Sequence, residues 1–189
     1  MKTRIDLPLT ILGILIYLLL GPSNKKIQMG MSMVPANKQG EIKDRRETSL
    51  IIVHHSATEN GNVEIFRRFH TETNGWDDIG YHFVITNGNG GPDGEIQKGR
   101  DLQKQGAHAK EKNYNSIGIC LVGNEKFTGK QKESLIWLIT GLCLKYGLEP
   151  SEKTIQPHHE KCPGQGLDIP EIIKEVKTRL RLFVSRPQP

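Results

Sequence analysis

The chain is poor in cysteine. Its 189 residues hold three, Cys120, Cys143 and Cys162, an odd and low number that excludes a disulfide framework. A single Cys120–Cys143 pairing stays open, although Cys120 falls in an apolar strand-like run and Cys143 in a helical one, where free thiols pack as small apolar groups. Apolar runs are short as well. The longest, Leu7 to Leu20, falls below the ~20 residues that comfortably span a bilayer. A basic stripe is also missing from most of the chain. The net charge is +5, but residues 1–48 carry eight Lys/Arg against four Asp/Glu, so the remainder is only +1. Nucleic-acid binding, which needs a basic face on the folded part, is thereby disfavoured. The basic N-terminal portion suits a tether beside a membrane or an anionic polymer. Glycine is plentiful, at 20 residues. The glycine-rich stretch 87–94 nevertheless lacks the Gly-Lys-Ser/Thr ending and following helix that a phosphate-binding loop requires.

What is present divides the chain into three. Lys2 and Arg4 precede the apolar run, the layout of an export signal, and no clean small-residue cleavage site follows. Residues 1–21 therefore read as a signal peptide or membrane anchor. Residues 22–48 are polar and aperiodic and read as a linker. Residues 49–189 have the length and composition of one globular domain. Within it, β-branched residues from Ile51 onward predict a strand that ends in His54 and His55. Asn62 is placed to cap a helix carrying Val63, Phe66, Phe69 and His70 on one side, with Asn74-Gly75 ending it. Residues 81–86 predict a second strand, and residues 95–97 continue it as a hairpin. Residues 116–122 form an apolar run suited to the middle of a sheet. Thr128 with Gln131 resembles a capping box. The helix after it has Leu135, Leu138, Ile139, Leu142 and Tyr146 on one face and stops at Gly147. Thr154-Ile155 is a short strand candidate, and a last helix spans about 170–182 with Ile172, Ile173, Val176 and Leu180 inward. Interleaved strands and helices predict an α/β domain.

Two histidine pairs carry the chemistry. His54 and His55 end the first strand, where alternation sends their side chains to opposite faces. His158 and His159 lie about a hundred residues later, followed by Cys162. Two imidazoles and a thiolate with a fourth position open make a catalytic zinc site, because a structural site would need a fourth protein ligand that the sequence does not offer.

The domain resembles the type 2 N-acetylmuramoyl-L-alanine amidases, which include phage amidase lysins and are related to animal peptidoglycan-recognition proteins. The resemblance spans about Leu50 to Leu182. It rests on six blocks in order: Val53 to Thr58, Gly80 to Phe83, Gly99 to Asp101, Gly106 to Ala109, Asn115 to Gly123, and His158-His159 with Cys162-Pro163-Gly164. It implies a central mixed β-sheet flanked by helices, with a zinc-bearing groove on one side. By position, His54, His158 and Cys162 match the zinc ligands, with His159 a competitor of His158. The resemblance further implies that zinc lowers the pKa of its water toward ~7 and polarises the scissile carbonyl. Tyr81 matches a tyrosine that holds the attacking water or the oxyanion.

The chain departs from the family pattern between His158 and Cys162, where the spacing is unusually short. A family lysine or threonine two residues before the cysteine is replaced by Glu160, with Lys161 next to it. Either Lys161 stabilises the intermediate or Glu160 shuttles a proton. His108 and Asn115 match the edge of the substrate groove. His70 and His82 read as packing or surface residues. The resemblance thus implies a zinc amidase acting on peptidoglycan or muropeptides; the N-terminal segment, outside the resemblance, independently implies export to the periplasm or cell envelope, and a monomer is expected. Its N-terminal segment would serve as export signal or inner-membrane anchor, in host remodelling or in phage lysis. The alternative is a non-catalytic peptidoglycan-binding module of the same fold.

Overall fold

A computed structural model describes residues 41–185. The apolar segment 1–21 and residues 22–40 of the polar stretch lie outside the described residues. Among those described, no helix is long and apolar enough to cross a membrane.

Five strands form one sheet: β1 (Leu50–His55), β2 (Phe83–Ile85), β3 (Ile96–Lys98), β4 (Ser116–Leu121) and β5 (Ile155–Pro157). The order is β3-β2-β4-β1-β5. Strands β2, β4, β1 and β5 are parallel, and β3 returns antiparallel to β2 through the glycine-rich turn. The sheet is therefore mixed, as the resemblance implies. β1 and β4 lie in the middle, which explains their near-continuous apolar character, since both faces are covered.

One face carries Ile51, Val53, Phe83, Ile85, Ile117, Ile119 and Leu121. It packs beneath helices α2 (Gly129–Tyr146) and α3 (Ile169–Val184). The capping box of α2 is formed: Thr128 Oγ1 accepts from Gln131 N at 3.0 Å, and Gln131 Oε1 accepts from Thr128 N at 3.1 Å. Gly147 closes the helix at φ 64°, a left-handed conformation that glycine adopts without strain. Asp168 caps α3, whose Ile172, Ile173 and Val176 are buried. The thiols of Cys120 and Cys143 are both free.

The opposite face is thinner, and it holds the site. Val84, Cys120 and Val122 meet Val63 and Phe66 of α1 (Val63–Arg68), together with Ile79 and the half-buried Tyr81. Helix α1 is shorter than its pattern predicts. It widens into a π turn over Phe69–Thr73, with Asn74 N donating to Phe69 O at 3.2 Å. Phe69, expected inward, is 54 % exposed, because its N–H still bonds to Ile65 O and α geometry leaves it at the edge of the Val63/Phe66 face, whereas His70 is buried with Nδ1 accepting from Gly80 N at 3.1 Å.

Backbone pairing with the domain begins a few residues before the change in composition at 49. Arg45 N donates to Gln103 O and Arg46 N to Tyr114 O, while Asp44 bridges to Lys104. Residues 43–48, read from sequence as the end of a linker, thus lie along the 101–115 segment.

Candidate metal centre

The C-terminal ends of parallel strands in one sheet open on the same edge, where ligands commonly bind. β1 delivers His54 there, in register with Cys120 of β4 and on the same face. β5 delivers His158, whose backbone N donates to Val53 O at 3.1 Å and so continues the β1–β5 pairing. A tight turn then returns the chain to Cys162. His159 and Cys162 exchange both backbone hydrogen bonds, at 3.1 and 3.0 Å, leaving Glu160 and Lys161 at the tip.

The ligand atoms of His54, His158 and Cys162 all lie within 4.8 Å of one another. His54 and Cys162 are buried, and His158 is half-buried. The sulfur of Cys162 accepts from His55 N at 3.5 Å. His159 is separated from this group by its own turn, since its Nδ1 accepts from Lys161 N at 3.2 Å. The geometry thus selects His158 from the second pair. From the first pair it selects His54, the one that the resemblance implies.

The electrostatics suit a cation. Burial, then the neighbouring His158, His159 and His55, hold the pKa of His54 well below the usual imidazole range, so it is a neutral donor at pH 7. Burial also lowers that of His158, helped by His159 and Lys112. Burial raises the pKa of the Cys162 thiol, partly offset by the His55 N–H. Two neutral imidazoles and one thiol form a borderline-soft donor set that fits zinc better than calcium or magnesium.

Tyr81 forms one wall, its ring centroid 5.2 Å from that of His54. Its pKa is raised by burial and by the nearby thiols of Cys120 and Cys162, and its hydroxyl hydrogen-bonds with Cys120. It therefore stays protonated and able to donate. The Cys120 contact was invisible in the sequence, because it arises from β4 lying beside β1 and β2.

The remaining sequence candidates are placed differently. His108, expected at a groove edge, is only 8 % exposed and lies behind His54, with His54 Nε2 and His108 Nδ1 3.0 Å apart. The segment 106–113 folds back over Gly118, so His108 covers the sheet. Asn115 sits immediately before β4, at the sheet end opposite His54. Its Nδ2 donates to Ser49 Oγ at 2.9 Å, and its carbonyl accepts from Ser49 N and Leu50 N, so it ties β1 to β4 and lines no groove beside the metal ligands. Glu160 and Lys161 are exposed, and no side-chain hydrogen bond or ion pair holds either among the described residues. His82, read as packing or surface, is buried. Its Nδ1 accepts from Gly118 N, and its Nε2 lies 3.1 Å from Lys104 O and so donates there.

Comparison with known proteins agrees with this arrangement. Residues 44–165 match the family model for N-acetylmuramoyl-L-alanine amidase. The endolysin of Escherichia phage T7 is 40 % identical over 134 residues, covering 65 % of this chain and 82 % of the endolysin. Among solved structures, the endolysin amidase LysCS from Clostridium intestinale superposes with a TM-score of 0.65 at 28 % identity, over 76 % of this chain and 93 % of that one. Drosophila peptidoglycan-recognition protein LB superposes with a TM-score of 0.58 at 27 % identity, over 72 % and 86 %.

Proposed function

This chain belongs to the N-acetylmuramoyl-L-alanine amidase family, and from that premise we propose that His54, His158 and Cys162 hold a catalytic zinc ion. The chain is an amidase of the endolysin kind, hydrolysing the amide between N-acetylmuramic acid and L-alanine. The observation that carries the zinc reading is the convergence of two imidazoles and one thiol from two strand ends and a turn. Bound there, zinc supplies a Lewis acid and an activated water at neutral pH.

The chain's own residues supply the rest. The half-buried Tyr81 hydroxyl, kept protonated by its surroundings, donates to the oxygen on which negative charge develops. Its present partner, the Cys120 thiol, is a weak one that a developing oxyanion replaces. Glu160 and Lys161 stand at the tip of the 159–162 turn that carries Cys162. We assign Lys161 as the second stabilising group there, because a cation beside an oxyanion lowers its energy and a carboxylate does not. Glu160 as proton shuttle is the competing assignment. Loss of the leaving amine requires a proton; the attacking water releases one, and in the competing assignment Glu160 would carry it from one to the other.

Peptidoglycan or muropeptides are the substrate of this reading, and the protein acts as an exported, monomeric enzyme at the cell envelope. The basic residues and apolar run at positions 2–20 support export, since peptidoglycan lies outside the cytoplasmic membrane.

The test is release of L-alanine amino termini from purified peptidoglycan, with the chain as purified, after chelation, and after zinc is restored. Activity should vanish and return. Full activity in the chelated protein, with metal analysis below one zinc per ten chains, would overturn the zinc assignment.

A further inference from the structure

Behind the metal ligands runs a chain of hydrogen bonds whose direction is fixed at its far end. The Lys112 carbonyl can only accept, so Ser116 donates its single proton to it, at 2.6 Å. Ser116 Oγ then has only lone pairs for His108 Nε2, 3.3 Å away. That nitrogen must carry the His108 proton, which leaves Nδ1 bare. His108 Nδ1 in turn lies 3.0 Å from His54 Nε2 and accepts its proton. A neutral His54 protonated on Nε2 has its lone pair on Nδ1. All three side chains are buried, with Ser116 at 0 %, His54 at 2 % and His108 at 8 % exposure, so water does not substitute for any partner.

The fold holds this chain in place. Asn113 Oδ1 accepts from both His108 N and Ala109 N at 2.9 Å, fixing the backbone beneath the ring. The ring rests on Gly118 of β4, where a Cβ would stand 2.5 Å from its Cγ and Cδ2. Gly106 leaves room on another side in the same way. His82 packs edge-on to the ring, with centroids 5.6 Å apart.

We propose that His108 is a positioning residue that fixes the tautomer and ring orientation of His54, so that Nδ1 of His54 is the atom offered to the metal. The inference rests on the zinc reading and deepens it. Metal-bound histidines ordinarily donate their second N–H to a carboxylate, a carbonyl or water, and that partner strengthens binding. Here the acceptor is a second neutral imidazole, itself oriented by a serine and a backbone carbonyl. The Lys112 carbonyl therefore sets which nitrogen of His54 faces the metal, three residues away along the hydrogen-bond chain.

The experiment measures zinc affinity of the full chain by chelator competition, and reads histidine tautomers in the zinc-loaded protein by long-range proton–nitrogen NMR. H108F fills the space without an acceptor and should weaken zinc about 10–100-fold. H108N keeps an oxygen near the Nδ1 position and should recover most of that loss, which mere filling of space would not. S116A removes the group that orients His108 and should give an intermediate loss without touching the ring. In the unmutated protein, His108 should carry its proton on Nε2 and His54 on Nε2. A proton on His108 Nδ1, or H108F and S116A both holding zinc as tightly as the parent, would overturn the inference while leaving the zinc reading intact. A parent chain that binds no zinc would defeat the zinc reading and this inference with it.

Discussion

Gly118 lies at the centre of the sheet, and replacing it with alanine tests the packing behind the metal site. Its backbone is not in the left-handed region, so alanine should be tolerated by the main chain. It would even gain about 0.5–1 kcal/mol from a less flexible unfolded state. The added Cβ, however, would stand 2.5 Å from His108 Cγ and Cδ2 and 2.7 Å from Nδ1, where ordinary contact is 3.4–4 Å. All three atoms belong to one ring, so the ring must withdraw by roughly 1 Å, and overpacking of that kind costs about 1–3 kcal/mol. Withdrawal also stretches the 3.0 Å contact to His54 and the 3.3 Å contact to Ser116. A buried partner left unsatisfied costs about 1–3 kcal/mol more. The net expectation for G118A is a loss of about 2–4 kcal/mol, which for a domain of this size corresponds to a fall in Tm of roughly 5–15 °C. Zinc affinity should fall in parallel, because His54 loses its support. G129A is the control. Gly129 opens α2 with nothing within 4 Å of a Cβ, and alanine there should hold or raise Tm. Calorimetry with zinc titration checks both. A G118A protein that melts with the parent and binds zinc equally would refute the packing argument.

Two further outcomes follow from the site and its surroundings. Burial, helped by Arg45 and Arg100, lowers the pKa of His82 to about 4 from 6.5; above pH 6.5 both folded and unfolded states are neutral, and below it the unfolded chain takes up the proton first. Stability should therefore decline as pH falls from 6.5 toward 4, by about 2 kcal/mol between pH 6.5 and 5 from His82 alone. His54 and His108 act in the same direction, and urea unfolding at pH 7, 6 and 5 that gave one unchanging stability would contradict this. At the tip of the short turn, K161M should lower kcat by about tenfold or more at unchanged zinc content, while E160Q should stay within about threefold. The reverse ranking would transfer the catalytic role to Glu160.

Much of this protein was legible in the amino-acid sequence because the signals are local. The apolar runs of β1 and β4, the Thr128–Gln131 capping box and the stop at Gly147 depend on neighbours within a few residues, and each stands as the pattern predicts. Alternation along β1 sends His54 and His55 to opposite faces, since a strand has a period of two, and the motif position singles out His54. The ligand types were also in the sequence, as two histidine pairs and Cys162. What the sequence left open depended on distances between segments remote in the chain. The choice of His158 over His159 came from the β1–β5 pairing and from a turn that occupies the Nδ1 of His159. The π turn over Phe69–Thr73 requires no change in composition, so periodicity alone continues the helix through it. Motif position alone places His108 and Asn115 at the edge of a groove. The topology instead folds segment 106–113 over Gly118 and ties Asn115 to the far end of β1. Residue type and spacing determined which groups could bind a metal. Only the tertiary structure, which seats the His108 ring on Gly118 between Ser116 and His54, brings together the hydrogen-bond chain that decides which nitrogen of His54 is free to do so.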